Sequence, residues 1–325
     1  MQSFFTYLPP SDVRIWYENW KKYVQILRKL DVYLFDIKEI PREFQGILKD
    51  HNIKIPKNID GGVFAYVPEG VKVNIPVEIA YYVENYDQKI YNVIILGKST
   101  EITIYTGCVS LAKGSHKSLT YEYVGKNAKA TTVKIHLWQK ESSLYAKTLV
   151  KLEDGFVNSY YLDLYSEGTI DFRTKYIGAG HVSEKSVILG KGNLNLVSIA
   201  KLKSGSAELI SKVVSFNNSK IKTLQKVEAL GKIKGYIKCD GLLFDYSSQG
   251  TMPILSSKCK DAELHHEAKL GKVSKEILEY LESKGLTEEE AIALYVRGFV
   301  TSLLPELDER LKLQILALLS RAQGL

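Results

Sequence analysis

Cysteine and methionine are scarce in this chain, whose 325 residues include three cysteines and two methionines. Three cysteines are too few for the disulfide framework of a secreted domain, so we expect reduced thiols and a cytoplasmic location. Uninterrupted apolar runs are only a few residues long, whereas a membrane-spanning helix needs about 20. The first residues also lack a basic stretch followed by an apolar one, and we expect no signal peptide.

A large excess of one charge is also lacking. The chain has 44 Lys and Arg against 37 Asp and Glu, a formal net charge of +7. Spread over this length, that is well short of the clustered basic footprint of a nucleic-acid binder. We therefore expect neither nucleic acid nor a membrane as a partner. Several enzyme motifs are missing too, among them G-x-x-x-x-G-K-[ST], G-x-S-x-G, H-E-x-x-H and C-x-x-C, and we predict no catalytic residue.

Strand-forming sequence fills the middle of the chain, helped by 21 tyrosines that suit a half-buried pleated surface. Apolar and polar residues alternate over Val71–Ile79, and similar strand patterns follow at 91–96, 101–105, 119–124 and 131–138. Helical spacing is confined to the two ends. It predicts one helix capped by Asp12, one over 41–51 and one over 274–284. A further helix begins at a capping box formed by Thr287 and Glu290, and a last one follows Asp308.

Turn residues recur through the strand region at intervals of 12 or 13, at Gly155, Gly168, Gly180, Gly192, Gly205, Asn218 and Gly231. Gly and Asn accept the positive φ of a tight corner. The spacing fits a meander of hairpins, and it also fits a solenoid whose coil of about 25 residues has two strands and two corners. We favour the solenoid. The predicted divisions are an N-terminal helical region at 1–60, a β-core at 61–258 and a C-terminal helical domain at 259–325.

Candidate metal ligands gather near the end of the β-core, at Cys239, His265, His266 and Glu267. On a strand, His265 and Glu267 point to one face and His266 to the other. The separation of Cys239 and His265 is close to one coil, which predicts that the two stack about 4.8 Å apart. A purely structural role for these residues also stays open, because a lone strand cysteine is usually a small buried hydrophobic residue.

Residues 262–300, AELHHEAKLGKVSKEILEYLESKGLTEEEAIALYVRGFV, carry a dense set of motifs. They include His-Glu-Ala, Tyr-Leu, Gly-Leu, Glu-Glu-Ala and Gly-Phe, in that order. Upstream lie Cys-Asp-Gly-Leu-Leu at 239–243 and Gly-Cys at 107–108. Together these motifs resemble those of the SufB/SufD family of iron–sulfur cluster assembly proteins, with Thr106 where the family has Glu.

The resemblance implies a mainly β fold, a right-handed parallel β-helix of two sheets flanked by N-terminal and C-terminal helical segments. This agrees with the solenoid favoured by the corner spacing. It also implies a scaffold rather than an enzyme, holding a transient [2Fe–2S] or [4Fe–4S] cluster at a dimer interface. Cys239, Glu267 and His266 match the family's ligand positions, and His265 shares a strand face with Glu267.

Partners follow from the same resemblance. The family binds an ABC-type ATPase, SufC, through its C-terminal helices, here represented by Tyr280, Leu281, Ala291, Tyr295, Gly298 and Phe299. We expect a homodimer or pairing with a SufB/SufD paralogue, a sulfur donor and apo-protein acceptors. A reduced flavin in the complex is also compatible with the resemblance. Sulfur entry is left open between Cys108, Cys239 and free sulfide, and Cys259 is expected to be a packed strand residue.

Two other functions are compatible with a β-rich chain. A carbohydrate-binding or carbohydrate-active β-helix would show clustered carboxylates, usually with a secretion signal, whereas the carboxylates here are scattered singly. A basic RNA-interaction protein would use Lys and Tyr, and its binding would weaken steeply with salt.

Overall fold

Parallel strands wind through about eight turns of a β-solenoid, with short helices near both ends. The computed structural model describes residues 23–83, 87–110 and 113–303, together with residues 309, 312, 313 and 316. The predicted parallel β-helix with helical ends is confirmed. The helix predicted from Asp12 is described over residues 23–29, where the chain is helical. The helix predicted beyond Asp308 lies almost wholly outside the described residues.

Two ladders of strands form the walls of the solenoid. The first ladder contains β2 (Val63–Val67), β4 (Asp87–Leu96), β6 (Gly114–Val124), β11 (Lys220–Ala229) and β13 (Ser248–Ser257). The second contains β3 (Val77–Val83), β5 (Glu101–Ser110), β7 (Lys129–Leu137), β12 (Ile233–Leu243) and β14 (Glu263–Gly271). Three long strands turn a corner and belong to both, namely β8 (Ser142–Leu164), β9 (Thr169–Gly190) and β10 (Asn193–Ser215).

Glycines stack on one another at the corners of the solenoid. Gly155 pairs with Gly180, and Gly180 pairs with Gly205, so these coils have the length that the sequence predicts. Farther along, Asn193 pairs with Lys220, so the coil has lengthened at that point. Gly180 and Gly205 have φ angles of +135° and +101°, which an L side chain rarely adopts. The predicted corners are confirmed, and the coil is somewhat longer toward both ends of the solenoid.

Local differences from the sequence prediction have simple causes. The strand predicted over Val71–Ile79 begins instead at Val77, because Pro76 has no backbone N–H for the ladder. Cys259 lies in the turn after β13, where its N–H donates to Ser257 Oγ, so the expectation of a strand residue was wrong. The ladder also continues past residue 258, since β14 pairs with β12.

The N-terminal region covers the first coils. It contributes an antiparallel edge strand, β1 (Tyr33–Asp36), which pairs with β2, and a helix, α1 (Arg42–Asp50). Apolar side chains of both pack on the outer face of the first ladder around Phe64, Val93 and Ile95. The pairing of β1 with β2 protects the backbone groups at the first edge of this ladder from pairing with other chains.

Two helices follow the last strand, α2 (Lys275–Ser283) and α3 (Glu288–Thr301). The predicted capping box at Thr287 and Glu290 is present at the start of α3. Val296 and Val300 of α3 are buried in one cluster with Ile210 and Val214 of β10. Helix α3 thus covers part of the outer face of the second ladder.

We expect Gly205→Ala to lower the free energy of unfolding by about 3 kcal/mol or more. A Cβ at this position would lie 1.8 Å from the carbonyl oxygen of Gly180, on a backbone with φ +101°. Chemical denaturation monitored by circular dichroism measures the loss. Gly46→Ala is the matched control, because a Cβ there meets nothing within 4 Å and Ala stabilises a helix interior by about 0.5–1 kcal/mol. Equal stability of Gly205→Ala and the wild type would contradict the stacking.

Candidate functional site

Cys239 faces the inside of the solenoid on β12. Its neighbours Lys238 and Asp240 point outward, as strand alternation requires. The side chain is 2% exposed, and its Sγ donates a hydrogen bond to Gln225 Oε1 at 2.9 Å. Burial raises the pKa of the Cys239 thiol, although hydrogen bonds with Thr251 and Ser211 partly offset that rise. The buried thiol is therefore held neutral.

A small cavity of about 10 Å³, lined in part by the hydroxyls of Ser211, Thr223 and Thr251, lies beside Cys239. That volume is roughly what one water molecule requires. Two buried polar atoms of nearby side chains, Gln225 Nε2 and Gln249 Oε1, have no hydrogen-bond partner within the described chain. Buried polar atoms are normally satisfied, so the surroundings of Cys239 have a spare donor and a spare acceptor for a small polar species.

The predicted stacking of Cys239 on His265 is wrong. His265 pairs with Tyr236, and Cys239 pairs with Ala268, so this coil is longer than the separation of Cys239 and His265. The coil is longer than at the glycine corners because successive turns, including the one between β13 and β14, add residues to it. A coil length taken from one part of the solenoid therefore misplaces a candidate ligand in another part.

The candidate ligands lie on both faces of the second ladder. His266 is in register with Ile237 and shares the inward face with Cys239. His265 and Glu267 lie on the outward face, as the alternation predicted. Glu267 Oε2 forms a salt bridge with Lys238 Nζ at 3.3 Å, and this lysine lowers the pKa of the Glu267 carboxyl.

The candidate ligands do not converge on one metal site within the part of the chain that the structure describes. Cys239 and Glu267 are on opposite sides of the same sheet. Within the described ranges, no three His, Cys, Asp or Glu side chains lie close enough together to hold a metal ion. The ligands assigned by resemblance would converge only if a second protein supplied part of the set.

The last coil of the solenoid has an open edge. Strand β14 pairs with β12 and strand β13 with β11, and no described residue pairs with their outer edges. His266 is consequently exposed although it faces the inside of the coil. The open edge thus presents the inward-facing His266 and a row of unpaired backbone groups, a common template for a further strand.

A second thiol, Cys108, is also buried, several coils before the open end and beside a cavity of about 40 Å³. Its Sγ lies 3.6 Å from His116 Nε2, while His116 Nδ1 is 2.9 Å from Gln88 Oε1. Burial raises the pKa of Cys108 to about 12 and lowers the pKa of His116 to about 4. The pair is neutral near pH 7, so Cys108 is a poor nucleophile in this conformation.

Sequence reasoning missed Gln225, the partner of Cys239, and Gln88, the partner of the histidine beside Cys108. Gln225 precedes Cys239 by 14 residues, and Gln88 precedes His116 by 28. These separations are about half a coil and one coil. The corner spacing contains this information, since residues half a coil apart face each other across the interior.

The six residues assigned to ATPase binding differ in accessibility. Tyr280 is 61% exposed, and Gly298 is also exposed. Leu281, Tyr295 and Phe299 are half-buried, and Ala291 is fully buried. Phe299 contacts the chain itself, because Lys212 Nζ lies over its ring and donates to its carbonyl oxygen. Tyr280 and Leu281 of α2 remain available to a partner.

The described helices include none with the length and apolar character needed to span a membrane.

Comparison with known proteins gives one consistent result. A family model described as "SUF system FeS cluster assembly, SufBD core domain" matches residues 84–299. A protein of Archaeoglobus fulgidus named "Iron-sulfur cluster assembly SufBD family protein" is 29% identical over 262 residues, covering 77% of this chain and 71% of that protein. A Pyrococcus horikoshii protein of the same family name is 29% identical over 318 residues, covering 89% and 70%. A Staphylococcus epidermidis relative is 30% identical over 263 residues, covering 76% and 57%.

We expect iodoacetamide to label Cys259 first in the folded protein at about pH 8, near the ordinary pKa of a free thiol. Cys259 is half-buried, whereas Cys108 and Cys239 are buried and their thiol pKa values are raised. Mass spectrometry of tryptic peptides measures each rate. Labelling in guanidinium chloride is the control and should make the three rates similar. A Cys108 rate equal to that of Cys259 in the folded protein would contradict the burial.

Proposed function

The chain belongs to the SufBD family of iron–sulfur cluster assembly proteins, and from that premise we propose that it is a non-catalytic scaffold of a SUF-type machinery. A nascent cluster is built on it and passed to apo-proteins after an ABC-type ATPase has opened the site. The observation that carries the proposal is the position of Cys239, a family-matched thiol that lies with spare polar partners beside the open end of the solenoid.

The proposed site forms where two solenoids meet at their open ends. The edges of β13 and β14 and the uncovered face of His266 support this arrangement. A two-fold interface between two copies doubles every ligand. The inward Cys239 and His266 of one chain can then be completed by the outward His265 and Glu267 of the other. A homodimer is the simplest form, and a SufB/SufD paralogue could supply the same edge.

The proposed ligand set suits a cluster that is assembled here and then transferred to another protein. Cys239 supplies a soft thiolate, while His266 and Glu267 supply nitrogen and oxygen donors, with His265 beside Glu267. Such mixed ligation holds iron and sulfide less tightly than four thiolates would. Glu267 must first leave Lys238, and Cys239 must lose its proton. Opening of the site would relieve the burial that keeps the thiol neutral.

We expect Cys239→Ser to lose most of the iron and sulfide acquired in anaerobic reconstitution, since thiolate is the preferred ligand. Visible absorption, with iron and sulfide analysis, measures the loss. Cys259→Ser is the matched control and should load like the wild type, because Cys259 lies in an outer turn. An unchanged spectrum for Cys239→Ser would remove this residue from the ligand set.

The proposed ATPase-docking surface is the exposed apolar side of α2 and α3. No residue of α2 is buried in the described chain, and its apolar side chains include Ile277, Tyr280 and Leu281. Leu294 of α3 is also exposed. Exposed apolar patches of this kind mark protein interaction sites. Because α3 packs on β10, a force applied to the helices reaches the second ladder directly.

We expect Tyr280→Ala to weaken binding of the partner ATPase about tenfold or more, the usual cost of losing a central aromatic contact. Isothermal titration calorimetry with the purified ATPase and a non-hydrolysable nucleotide measures it. Lys275→Ala on the same helix is the control, because Lys275 only forms an exposed pair with Glu279 and such pairs contribute little. Equal affinities of the two variants would exclude Tyr280 from the interface.

A further inference from the structure

The outer face of the first ladder has an unusual charge. Along the neighbouring strands β6, β8, β9, β10 and β11, outward cations outnumber outward carboxylates, which among the described residues are Asp171, Glu228 and, at the corner of β8, Glu153. We call this surface the basic face. Its cations are Lys117, Lys147, Lys151, Arg173, Lys175, Lys201, Lys220, Lys222 and Lys226. Their excess is comparable to the net charge of +7 of the whole chain.

Few of these cations are neutralised nearby. Arg173 pairs with Asp171, and Glu228 pairs with Lys201 and Lys226. Most of the others, including Lys117, Lys147, Lys175 and Lys222, are exposed and form no salt bridge with any residue that the structure describes. Near the end of the second ladder, by contrast, outward cations pair across strands, as Lys234 with Glu263 and Lys238 with Glu267. The imbalance is therefore a feature of the first ladder.

Apolar side chains lie between the cations. Leu119 is 43% exposed and stands in register with Lys147, while Val197 and Leu224 follow Arg173 in the same row.

Most of the basic face is uncovered. The N-terminal region packs on the first ladder as far as Tyr123, where the ring of His51 contacts the ring of Tyr123 at the border of the basic face. Beyond Tyr123, no described element packs on this surface. The cations and the apolar side chains between them are therefore available to a partner.

We propose that the basic face binds an acidic protein whose carboxylates surround an apolar contact. Charge complementarity supports a polyanion, and the interleaved Leu and Val favour a protein, because phosphate backbones do not bury aliphatic side chains. The face holds a single arginine, already paired with Asp171, whereas arginine is the preferred residue for nucleic-acid recognition. The proposal is independent of the cluster site, which lies on the second ladder.

The test uses the full chain and two defined polymers, poly-L-glutamate and a random copolymer of glutamate and tyrosine. We expect the copolymer to bind more tightly than poly-L-glutamate, because it adds apolar groups to the carboxylates. The double variant Lys147→Glu with Lys175→Glu should weaken copolymer binding about tenfold or more at low salt, with a smaller effect at high salt. Fluorescence anisotropy measures both.

The matched control is Lys72→Glu with Lys129→Glu, the same charge change at exposed lysines on the outer face of the second ladder. It should leave copolymer binding unchanged. Leu224→Ser should reduce the advantage of the copolymer over poly-L-glutamate, and melting curves of every variant confirm folding. Equal losses in the two double variants would overturn the proposal, since net charge alone would then explain binding.

Three further outcomes would also overturn it. One is binding of single-stranded RNA that exceeds binding of the copolymer and is lost in the Lys147/Lys175 variant. Another is the same pattern with phosphatidylserine vesicles. The third is a change from dimer to monomer in that variant by sedimentation, which would make the basic face a contact between copies of this chain.

Discussion

The in-register pairing of each coil with the next is the constraint on which this structure depends. Every strand inside the solenoid satisfies its backbone N–H and C=O groups with two neighbours, so the ladder is self-consistent until it stops. At its beginning, β1 pairs antiparallel with β2 and extends the first edge. At its end, the described residues leave β13 and β14 unpaired on one side. The proposed site and the proposed dimer both originate at this end.

Strand alternation then divides the chemistry of the molecule between two surfaces. Inward positions hold the thiols of Cys108 and Cys239, and burial raises the pKa of both thiols. Outward positions hold Glu267 and most of the lysines, where water supports ionisation. A cluster scaffold needs a thiolate, and burial opposes one. This conflict gives a physical reason for the proposed ATPase to open the proposed site, because opening would favour both deprotonation of Cys239 and release of the cluster.

Periodicity made the fold predictable, and its variation limited the prediction of the site. Corner glycines at a nearly constant spacing identify a solenoid because each Gly must fit against the backbone of the coil before it. The same spacing placed Cys239 over His265, whereas the longer last coil pairs it with Ala268. Turn length between β13 and β14 is not constrained by the glycine column, so no regular period could have located this register.

The sequence by itself determined the period-two strands, the helical ends, the capping box of α3 and the family motifs around Cys239 and Glu267. Each of these depends on neighbours along the chain or on residue types at short spacing. Tertiary structure alone decided that Cys239 and Glu267 lie on opposite faces, that Gln225 holds the thiol, and that an excess of positive charge gathers on one ladder. These features join residues one coil or half a coil apart, and only the actual length of each coil fixes which residues meet.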